Sequence, residues 1–275
     1  MTMAGTVVAA DGTELYVESR GSGDPVLLIQ GLGYATWAWS PQVEALHDRW
    51  NLVAFDNRGA GRSDKPAGPY SIEMLADDAH AVIAGTGIAA AHVVGASMGG
   101  YIAQTLAARH PEAVRSLVLV ATSCGGPGSL GVPDETLSAW QASAGEPPPV
   151  FARRTMPYSF SPGWTDAHSE EFERLLAARL RFPTPPEAWR AQFDACERFL
   201  HDGLAATRLD APTMVVHGTG DRVVPVGNAA VLMQRLADGR LQLLEGAGHL
   251  CWLERPTRVS ELLGEFFGSV DGQPR

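Results

Sequence analysis

Short runs of consecutive apolar residues recur along the chain, and segments with helical spacing separate them. The apolar runs cover residues 25–30 (PVLLIQ), 51–55 (NLVAF), 91–95 (AHVVG), 116–121 (SLVLVA) and 213–218 (TMVVHG). Such runs are typical of strands that are buried on both faces of a parallel sheet. The amphipathic segments cover residues 41–46, 72–84, 99–108, 226–236 and 258–267. This alternation predicts an α/β fold with a doubly wound, mostly parallel sheet.

Two stretches depart from the alternation. The N-terminal sequence TVVAADGTELYVES has two alternating runs on either side of Asp11-Gly12, which predicts a β-hairpin. Residues 125–209 are rich in Pro, Gly and Trp, and they contain helix-like stretches such as SEEFERLLAARL but no buried-strand run. We therefore predict that 125–209 form an inserted helical cap over the carboxyl ends of the strands, where open α/β sheets bind ligands. Residues 1–124 and 210–275 then form the α/β core.

Composition and charge argue against several classes of partner. The 275 residues are 45% hydrophobic and 19% charged, as in ordinary soluble domains, and the formal net charge is −10. This acidity argues against nucleic acid and anionic membrane surfaces as partners, because both attract basic faces. The N-terminus lacks the features of a signal peptide, no apolar run is long enough to span a membrane, and the 3 cysteines form no disulfide pattern. These features predict a cytoplasmic protein.

One serine stands among three glycines, between an apolar run and a helical segment. The sequence GASMGG places Ser97 between Gly95 and Gly99, and a further glycine follows. Gly-x-Ser-x-Gly at a strand-to-helix turn is typical of a nucleophile elbow, in which small neighbours are needed because strand and helix approach closely. The hydroxyl then lies at the positive end of a helix, which favours a negatively charged intermediate. The alternative is a glycine-rich turn without a catalytic role.

A serine hydroxyl needs a base to act as a nucleophile, and two residues late in the chain can supply a base and an acid. Asp221 follows the apolar run 213–218, and His249 lies in a glycine-containing loop after another predicted strand. Both should lie at the edge of the sheet where Ser97 is expected, in the chain order serine, acid, histidine. We predict a catalytic triad of Ser97, His249 and Asp221. His217, at the end of a predicted strand, is the alternative base.

An oxyanion hole needs two backbone N–H donors. One should belong to the residue after the nucleophile, Met98, and the other should come from a loop after an earlier strand. The sequence Gln30-Gly31-Leu32-Gly33 provides that loop, and we predict the Leu32 N–H as the second donor. A glycine turn that leads into a helix is the plainer interpretation, and it is compatible with a donor role.

Together these residues resemble the α/β-hydrolase superfamily over nearly the whole chain. Residues 55–66 (FDNRGAGRSDKP) look like the family's Asp-x-Arg-Gly-x-Gly-x-Ser turn, GTGDRVVP looks like its acid loop, and GAGHLCWLERP looks like its histidine loop. The stretch PAGPYSIEMLADDAHAVI with GASMGG is similar to the bacterial 3-oxoadipate enol-lactonase group, and also to many esterases and carbon–carbon bond hydrolases. The resemblance implies a serine hydrolase. Asp56, Arg58 and Ser63 are expected to be structural, because the triad is complete without them.

One position departs from the family pattern. The family commonly has His-Gly where this chain has Gln30-Gly31, and that histidine orders the oxyanion loop without reacting. Glutamine can still hydrogen-bond, so the departure bears on oxyanion geometry and does not exclude catalysis. The dehalogenase and epoxide hydrolase branches use an Asp nucleophile, so the serine argues against those activities.

The predicted reaction is hydrolysis of a small-molecule carboxylic ester or lactone through an acyl-enzyme on Ser97, with no metal and no organic cofactor. Aromatic and apolar side chains of the cap and of the oxyanion loop should line the pocket, although core packing is the alternative for each. The predicted pocket residues are Tyr34, Trp37, Trp140, Phe151, Met156 and Trp164. Arg153, Arg154 and Arg181 are available for an anionic group, but no pattern marks them as a charge clamp. We therefore expect an uncharged, fairly apolar substrate.

Two other classes of function stay open. The same triad can support carbon–carbon bond hydrolysis, acyl transfer or perhydrolysis. A non-hydrolytic ligand-binding or cyclase-like protein can also retain a triad, and Gln30 slightly favours this interpretation. Turnover of simple esters distinguishes the first class, whereas ligand binding without turnover that is insensitive to Ser97→Ala distinguishes the last.

Overall fold

The computed structural model describes residues 2–206 and 208–272, and these contain one eight-stranded sheet. The strands are β1 (Thr2–Val8), β2 (Glu14–Arg20), β3 (Asp24–Ile29), β4 (Trp50–Phe55), β5 (Ala91–Ala96), β6 (Val114–Val120), β7 (Thr213–Gly218) and β8 (Gly239–Leu244). Their order across the sheet is β1-β2-β4-β3-β5-β6-β7-β8. Pairing is antiparallel at β1–β2 and β2–β4 and parallel in the rest of the sheet. The predicted doubly wound, mostly parallel sheet is confirmed.

The predicted N-terminal hairpin forms β1 and β2. The two strands pair from Thr2 opposite Arg20 to Val8 opposite Glu14. Gly12 has a φ of +88°, a backbone region that favours glycine, so the turn lies where the sequence places it.

Helices cover both faces of the sheet. The described helices are α1 (Ser40–Leu46), α2 (Ile72–Gly85), α3 (Met98–Arg109), α4 (Asp134–Ala142), α5 (Pro148–Thr155), α6 (Trp164–Ala167), α7 (Ser169–Arg181), α8 (Pro186–Asp202), α9 (Gly227–Met233), α10 (Cys251–Glu254) and α11 (Pro256–Asp271), with short 3-10 turns at Thr36–Trp39, Pro111–Ala113 and Met156–Ser159. The five amphipathic segments in the sequence correspond to α1, α2, α3, α9 and α11. Within the described residues, no helix combines the length and apolar character needed to cross a membrane.

The central strands bury both faces because their side chains alternate. Along β3, Val26 and Leu28 join one apolar cluster, whereas Leu27 and Ile29 join the other. The first cluster also contains side chains of α1 and α11, and the second contains side chains of α2 and α3. Full burial of a Val, Leu or Ile side chain contributes about 1.5–3 kcal/mol. A strand between two helical layers therefore gains from an apolar residue at every position.

The segment predicted as a cap holds α4 to α8 and lies between β6 and β7. In the described part of 125–209, β-pairing is limited to an isolated bridge between Leu209 and Leu236. Buried side chains of the segment join both apolar clusters, as Phe160 and Phe199 show. The boundaries at 124 and 210 stay a prediction.

A short stretch of this segment, residues 157–161, is hydrogen-bonded to the loops that follow β7 and β8. The Arg222 Nη2 donates to two of its backbone carbonyl oxygens, at 3.1 and 3.2 Å. The buried Glu254 Oε1 accepts hydrogen bonds from the Ser161 N–H at 2.7 Å and from the Gly248 N–H at 3.0 Å. We call residues 157–161 the cap anchor.

Candidate active site

Ser97 lies in the turn between β5 and α3. Its backbone has a φ of 56° and a ψ of −120°, a combination that non-glycine residues rarely adopt. Tight packing imposes this conformation. A Cβ on Gly95 would overlap the Gly99 carbonyl oxygen, and a Cβ on Gly99 would overlap the Ile29 carbonyl oxygen. Strain of this kind recurs at functional sites, where the surrounding structure holds it in place.

Asp221 and His249 form a buried pair at neighbouring strand ends. The His249 Nδ1 lies 2.8 Å from the Asp221 Oδ2, and the Asp221 Oδ1 accepts hydrogen bonds from the N–H groups of Val223 and Val224. The Asp221 side chain is fully buried, and the His249 side chain is 7% exposed. When Nδ1 donates to the carboxylate, Nε2 is left as the acceptor. His249 and Ser97 line the same cavity, so the structure brings the predicted base and nucleophile to one space.

The loops that carry Asp221 and His249 hold each other in place. The Gly220 N–H donates to the Ala247 carbonyl oxygen at 2.9 Å, and the Gly246 N–H donates to the Thr219 Oγ1 at 2.8 Å. Since β7 and β8 are neighbours in the sheet, the loops after them leave from the same edge. The pair of loops therefore fixes the acid against the base.

His217 makes a second contact with the acid. Its Nε2 lies 3.2 Å from the Asp221 Oδ2 and 2.8 Å from the Val224 carbonyl oxygen, in a fully buried position. Its Nδ1 has no hydrogen-bond partner among the described residues. His217 is absent from the described lining of the cavity that contains Ser97. The geometry therefore favours His249 as the base and makes His217 a support for the acid.

The Asp221 carboxyl is held in its charged form. Burial alone would raise its pKa, but the charges and hydrogen bonds of His249 and His217 outweigh burial and lower the pKa from 3.8 to about 2. A carboxyl whose pKa is lowered by folding stabilises the folded state above its unfolded-state pKa. That stabilisation is lost as the pH falls through the folded-state value.

We expect the lowered pKa of Asp221 to appear as a pH-dependent difference in the free energy of unfolding between the wild type and Asp221→Asn. The ionised carboxylate should contribute about 2 kcal/mol to the free energy of unfolding above about pH 4, and this contribution should vanish as the pH approaches about 2. Urea unfolding of both proteins across this range checks the expectation. A difference that stays constant from about pH 5 to pH 2 would contradict the lowered pKa.

The loop after β3 passes directly over the serine. A Cβ on Gly31 would lie 3.0 Å from the Cβ of Ser97 and 3.5 Å from its Oγ, so a side chain here would crowd the hydroxyl. Among the described residues, the Leu32 N–H donates to no backbone or side-chain acceptor. Met98 is the first residue of α3, and such N–H groups have no partner within their own helix. Both predicted donors are therefore available beside Ser97.

Gln30 ties this loop to the end of β4. It is fully buried, and its side-chain Nε2 donates to the Phe55 backbone carbonyl oxygen. The Gln30 backbone carbonyl oxygen accepts from the Asn57 Nδ2 at 3.0 Å. The Gln30 Oε1 has no partner among the described residues. Glutamine therefore provides the loop-ordering contact that the family resemblance assigns to histidine.

Gln192 of α8 fastens the same loop from above. Its Oε1 accepts from the Gly33 N–H at 3.0 Å, and its Nε2 donates to the Arg58 carbonyl oxygen at 2.8 Å. The side chain is fully buried. Gln192 thus joins the loop after β3, the turn after β4 and α8, and no sequence motif marks it.

Hydrogen bonds to Asp56 hold the turn after β4 in place and connect it to the loop after β3. The buried Asp56 accepts hydrogen bonds from the N–H groups of Thr36 and Arg62 at 2.7 and 2.8 Å. The Ser63 Oγ donates to the Asp56 carbonyl oxygen. Burial raises the pKa of Asp56, and the two backbone donors oppose that rise.

Arg58 forms a buried ion pair below this turn. Its Nε and Nη2 each lie 2.6 Å from a carboxylate oxygen of Asp78, and its Nη1 lies 2.7 Å from the Asp11 Oδ2. The side chains of Arg58 and Asp78 are 4% and 2% exposed. The pair connects the turn to α2 and to the N-terminal hairpin, which accords with a structural role.

The cavity at the serine has a volume of about 420 Å³. The predicted pocket residues that line it are Tyr34, Trp140 and Phe151. The predicted pocket residues that do not line it are Trp37, Met156 and Trp164. Met156 and Trp164 are instead buried in the apolar cluster that includes α1 and α11, and Trp37 packs against that cluster. The prediction is corrected for these three. Met156 and Trp164 use their apolar surface to attach the segment to the core, and Trp37 packs against the same cluster from the turn after β3.

Helix α8 supplies a wall of the cavity that the sequence analysis missed. The lining residues from α8 are Trp189, Phe193, Cys196, Glu197, Leu200 and His201. Positions 189, 193, 196 and 200 are spaced by three or four residues, so they share one face of the helix. That periodicity can be read from the sequence, but it does not distinguish a face that lines a cavity from a face that packs in a core.

Arg179 brings a positive charge to the cavity wall. Its guanidinium lies 4.7 Å from the ring centre of Tyr34, and no ion pair joins it to a carboxylate among the described residues. Arg153 and Arg154, two of the alternatives named from the sequence, pair with Glu173 and Glu146. The positively charged Arg179 of this cavity is therefore absent from the sequence-based prediction, and the same wall also contains the acidic Glu197.

A possible metal-ligand cluster lies outside the cavity. Within the described residues, His80, His110 and Glu112 have ligand atoms within 4.8 Å of one another. The two imidazole rings are stacked with centroids 3.9 Å apart and planes 4° from parallel. Imidazole lone pairs lie in the planes of their rings, so the lone pairs of two parallel rings 3.9 Å apart do not meet at one ion. This cluster is better explained as ring stacking at the surface.

Comparison with known proteins identifies the family of this chain. A sequence model of the family described as "alpha/beta hydrolase fold" matches residues 24–256. A protein of Azorhizobium caulinodans that is assigned as the carbamate hydrolase RutD is 32% identical over 265 residues, which cover 94% of this chain and 96% of that protein. The 2-hydroxymuconate semialdehyde hydrolase of Pseudomonas sp. strain CF600 is 30% identical over 276 residues, which cover 97% and 95% of the two chains.

A solved structure shows the same fold at similar coverage. The enol-lactonase of Burkholderia xenovorans LB400 superimposes with a TM-score of 0.84 at 26% identity, covering 96% of this chain and 100% of the other. Since the family match and the relatives both extend over most of the sequence, this protein belongs to the α/β-hydrolase fold family and is a hydrolase enzyme.

Proposed function

We propose that the protein hydrolyses a small-molecule carboxylic ester or lactone. One observation carries the proposal: Ser97 and His249 line one cavity, and the His249 Nδ1 is hydrogen-bonded to the buried Asp221. This is the arrangement that converts a serine hydroxyl into a nucleophile. The similarity to an enol-lactonase supports an acyl substrate.

In the proposed mechanism, the Ser97 Oγ attacks the substrate carbonyl carbon while the His249 Nε2 takes the hydroxyl proton. Asp221 stabilises the imidazolium that forms. The carbonyl oxygen becomes negatively charged and accepts hydrogen bonds from the N–H groups of Leu32 and Met98. Each such donor contributes on the order of 3 kcal/mol to the stability of the transition state.

Collapse of the first tetrahedral intermediate completes acylation, and deacylation then repeats the two steps with water as the nucleophile. His249 gives its proton to the leaving alkoxide, and an acyl-enzyme remains on Ser97. His249 then removes a proton from water, which attacks the acyl carbon. Collapse of the second tetrahedral intermediate releases the acid and restores the serine hydroxyl. The proposed cycle needs no metal and no organic cofactor.

Arg179 favours a second candidate, the hydrolysis of a carbon–carbon bond in a substrate that carries a carboxylate. A guanidinium on the cavity wall without a carboxylate partner among the described residues is suited to bind an anionic group of the substrate. The relative named 2-hydroxymuconate semialdehyde hydrolase is consistent with this candidate. Both candidates use the same triad and differ in the bond that breaks.

The test is turnover of a p-nitrophenyl ester series from acetate to octanoate, with Ser97→Ala run alongside. Release of p-nitrophenol by the wild type but not by the variant supports ester hydrolysis. Slow ester turnover with fast cleavage of a carboxylated dienolic diketone supports the second candidate. A folded protein that turns over neither substrate, and that binds them equally well after Ser97→Ala, would overturn both.

A further inference from the structure

A second cavity lies next to the catalytic one. Its volume is about 290 Å³, compared with about 420 Å³ for the cavity that contains Ser97. Three side chains line both cavities: Phe151, Arg179 and Trp189. These three side chains form the partition between the two spaces. We call the cavity that contains Ser97 the inner cavity and the second one the outer cavity.

The Trp189 ring is the centre of the partition. It packs against the Phe151 ring with centroids 5.1 Å apart at 67°, and it stacks on the Phe193 ring with centroids 5.1 Å apart at 13°. The same ring covers the oxyanion loop, because a Cβ on Gly33 would lie 2.9 Å from the Trp189 Cδ1. Trp189 is only partly buried, so it separates two spaces and is not part of a filled core.

The outer cavity has the chemistry of a site for an uncharged group. Its wall includes Ala152, Leu180, Pro183 and Pro186. The charged residues Glu146, Arg179 and Arg190 also line it. Glu146 and Arg190 are paired, and the Arg179 guanidinium lies at the partition, 4.7 Å from the ring centre of Tyr34. Glu146 lies 2.9 Å from Arg154, and Arg190 lies 2.7 Å from Asp194. The wall away from the partition is therefore mainly apolar or already ion-paired, and hydrocarbon or aromatic groups suit it best.

We propose that the outer cavity is a second binding subsite, which takes the distal hydrocarbon or aryl end of the substrate after it passes the Phe151–Trp189 partition. The inference rests on the proposed function, in that the reacting carbonyl is placed at Ser97 in the inner cavity. It adds a substrate class: acyl or alcohol groups too long for the inner cavity alone. Trp189 then limits how wide that passing chain can be.

Two variants separate the outer cavity from the reaction centre. Thr184 lines the outer cavity but not the inner one, and Thr184→Trp should fill it. Ala177 is exposed on α7 and lines neither cavity, so Ala177→Trp is the matched control. With p-nitrophenyl esters, Thr184→Trp should leave kcat/KM for acetate unchanged and lower it for dodecanoate at least about tenfold, the effect of losing two buried methylene groups. Ala177→Trp should change neither.

A binding experiment tests, without turnover, whether the outer cavity takes the end of a long chain. In the Ser97→Ala background, 1-alkanols from butanol to dodecanol are titrated by calorimetry. Each methylene that becomes buried should raise affinity about fourfold, and Thr184→Trp should end this rise at a shorter chain. Failure of ester hydrolysis alone would overturn the proposed function and leave this experiment able to support or reject the subsite.

Trp189→Ala provides an independent variant in case Thr184→Trp does not fold. It should widen the passage and raise kcat/KM for branched or aryl-ended long esters relative to acetate. In the alkanol titration, it should raise affinity for branched alcohols relative to butanol. Identical chain-length profiles in the wild type, Thr184→Trp and Trp189→Ala, in both assays, would overturn the proposal.

Discussion

Replacing His249 by alanine should lower kcat for an ester substrate about a million-fold, the size of effect expected when the base of a serine triad is removed. Without His249, nothing takes the proton from the Ser97 hydroxyl as it attacks. The fold should persist, because His249 lies in a loop and its side chain contributes a single hydrogen bond, to Asp221. Steady-state kinetics on the purified variant, with circular dichroism to establish the fold, checks this prediction.

His217 offers the matched control. His217→Gln keeps an N–H donor near the Asp221 carboxylate and the Val224 carbonyl oxygen, both of which His217 contacts. The cost should stay near that of one weakened hydrogen bond, about 1 kcal/mol, or less than about tenfold in kcat. Full activity in His249→Ala together with a large loss in His217→Gln would reverse the assignment of the base.

The largest effect on stability is expected from Arg58→Met. This change leaves the carboxylate of Asp78 buried without its bidentate partner. Breaking a buried ion pair from one side costs about 3–5 kcal/mol. Burial already raises the pKa of Asp78 with Arg58 beside it, so the carboxyl should take up a proton more readily in the variant. The loss should therefore be smaller in acid than at neutral pH, as measured by urea unfolding at both.

An exposed ion pair between α3 and α2 provides the comparison. Arg109 lies 2.8 Å from Asp77, but their side chains are 44% and 48% exposed. Arg109→Met should cost no more than about 1 kcal/mol, since solvent screens the pair. Equal losses in Arg58→Met and Arg109→Met would show that burial of the first pair carries no special cost. A second substitution, Asp78→Asn, should recover part of the stability lost in Arg58→Met.

The sheet could be predicted because its central strands are buried on both faces. That environment demands apolar residues at consecutive positions, as in 25–30 and 213–218, and few other structures leave such a pattern in a soluble domain. The candidate triad could be proposed for a related reason. Ser97, Asp221 and His249 each follow a strand of a parallel sheet, and chain order with strand ends is enough to place them on one edge.

The walls of the cavity could not be predicted in the same way. Met156 and Trp164 are residue types that often line pockets, yet both are buried in the core cluster. Gln192 and Arg179 lie on helices whose polar residues would normally face water. Their contacts depend on how α7 and α8 are oriented over the sheet, and this orientation is set by long-range packing that no local pattern records.

The cap anchor has a consequence for how this enzyme can diversify. Residues 157–161 are tied to the loop of the candidate acid through Arg222 and to the loop of the candidate base through Glu254. Insertions, deletions or exchanged segments within 125–156 can therefore reshape the cavity wall while the cap anchor keeps the loops of Asp221 and His249 in place. The same changes made across 157–161 would disturb both loops at once. Libraries that recombine caps between relatives should accordingly place their crossovers outside the cap anchor.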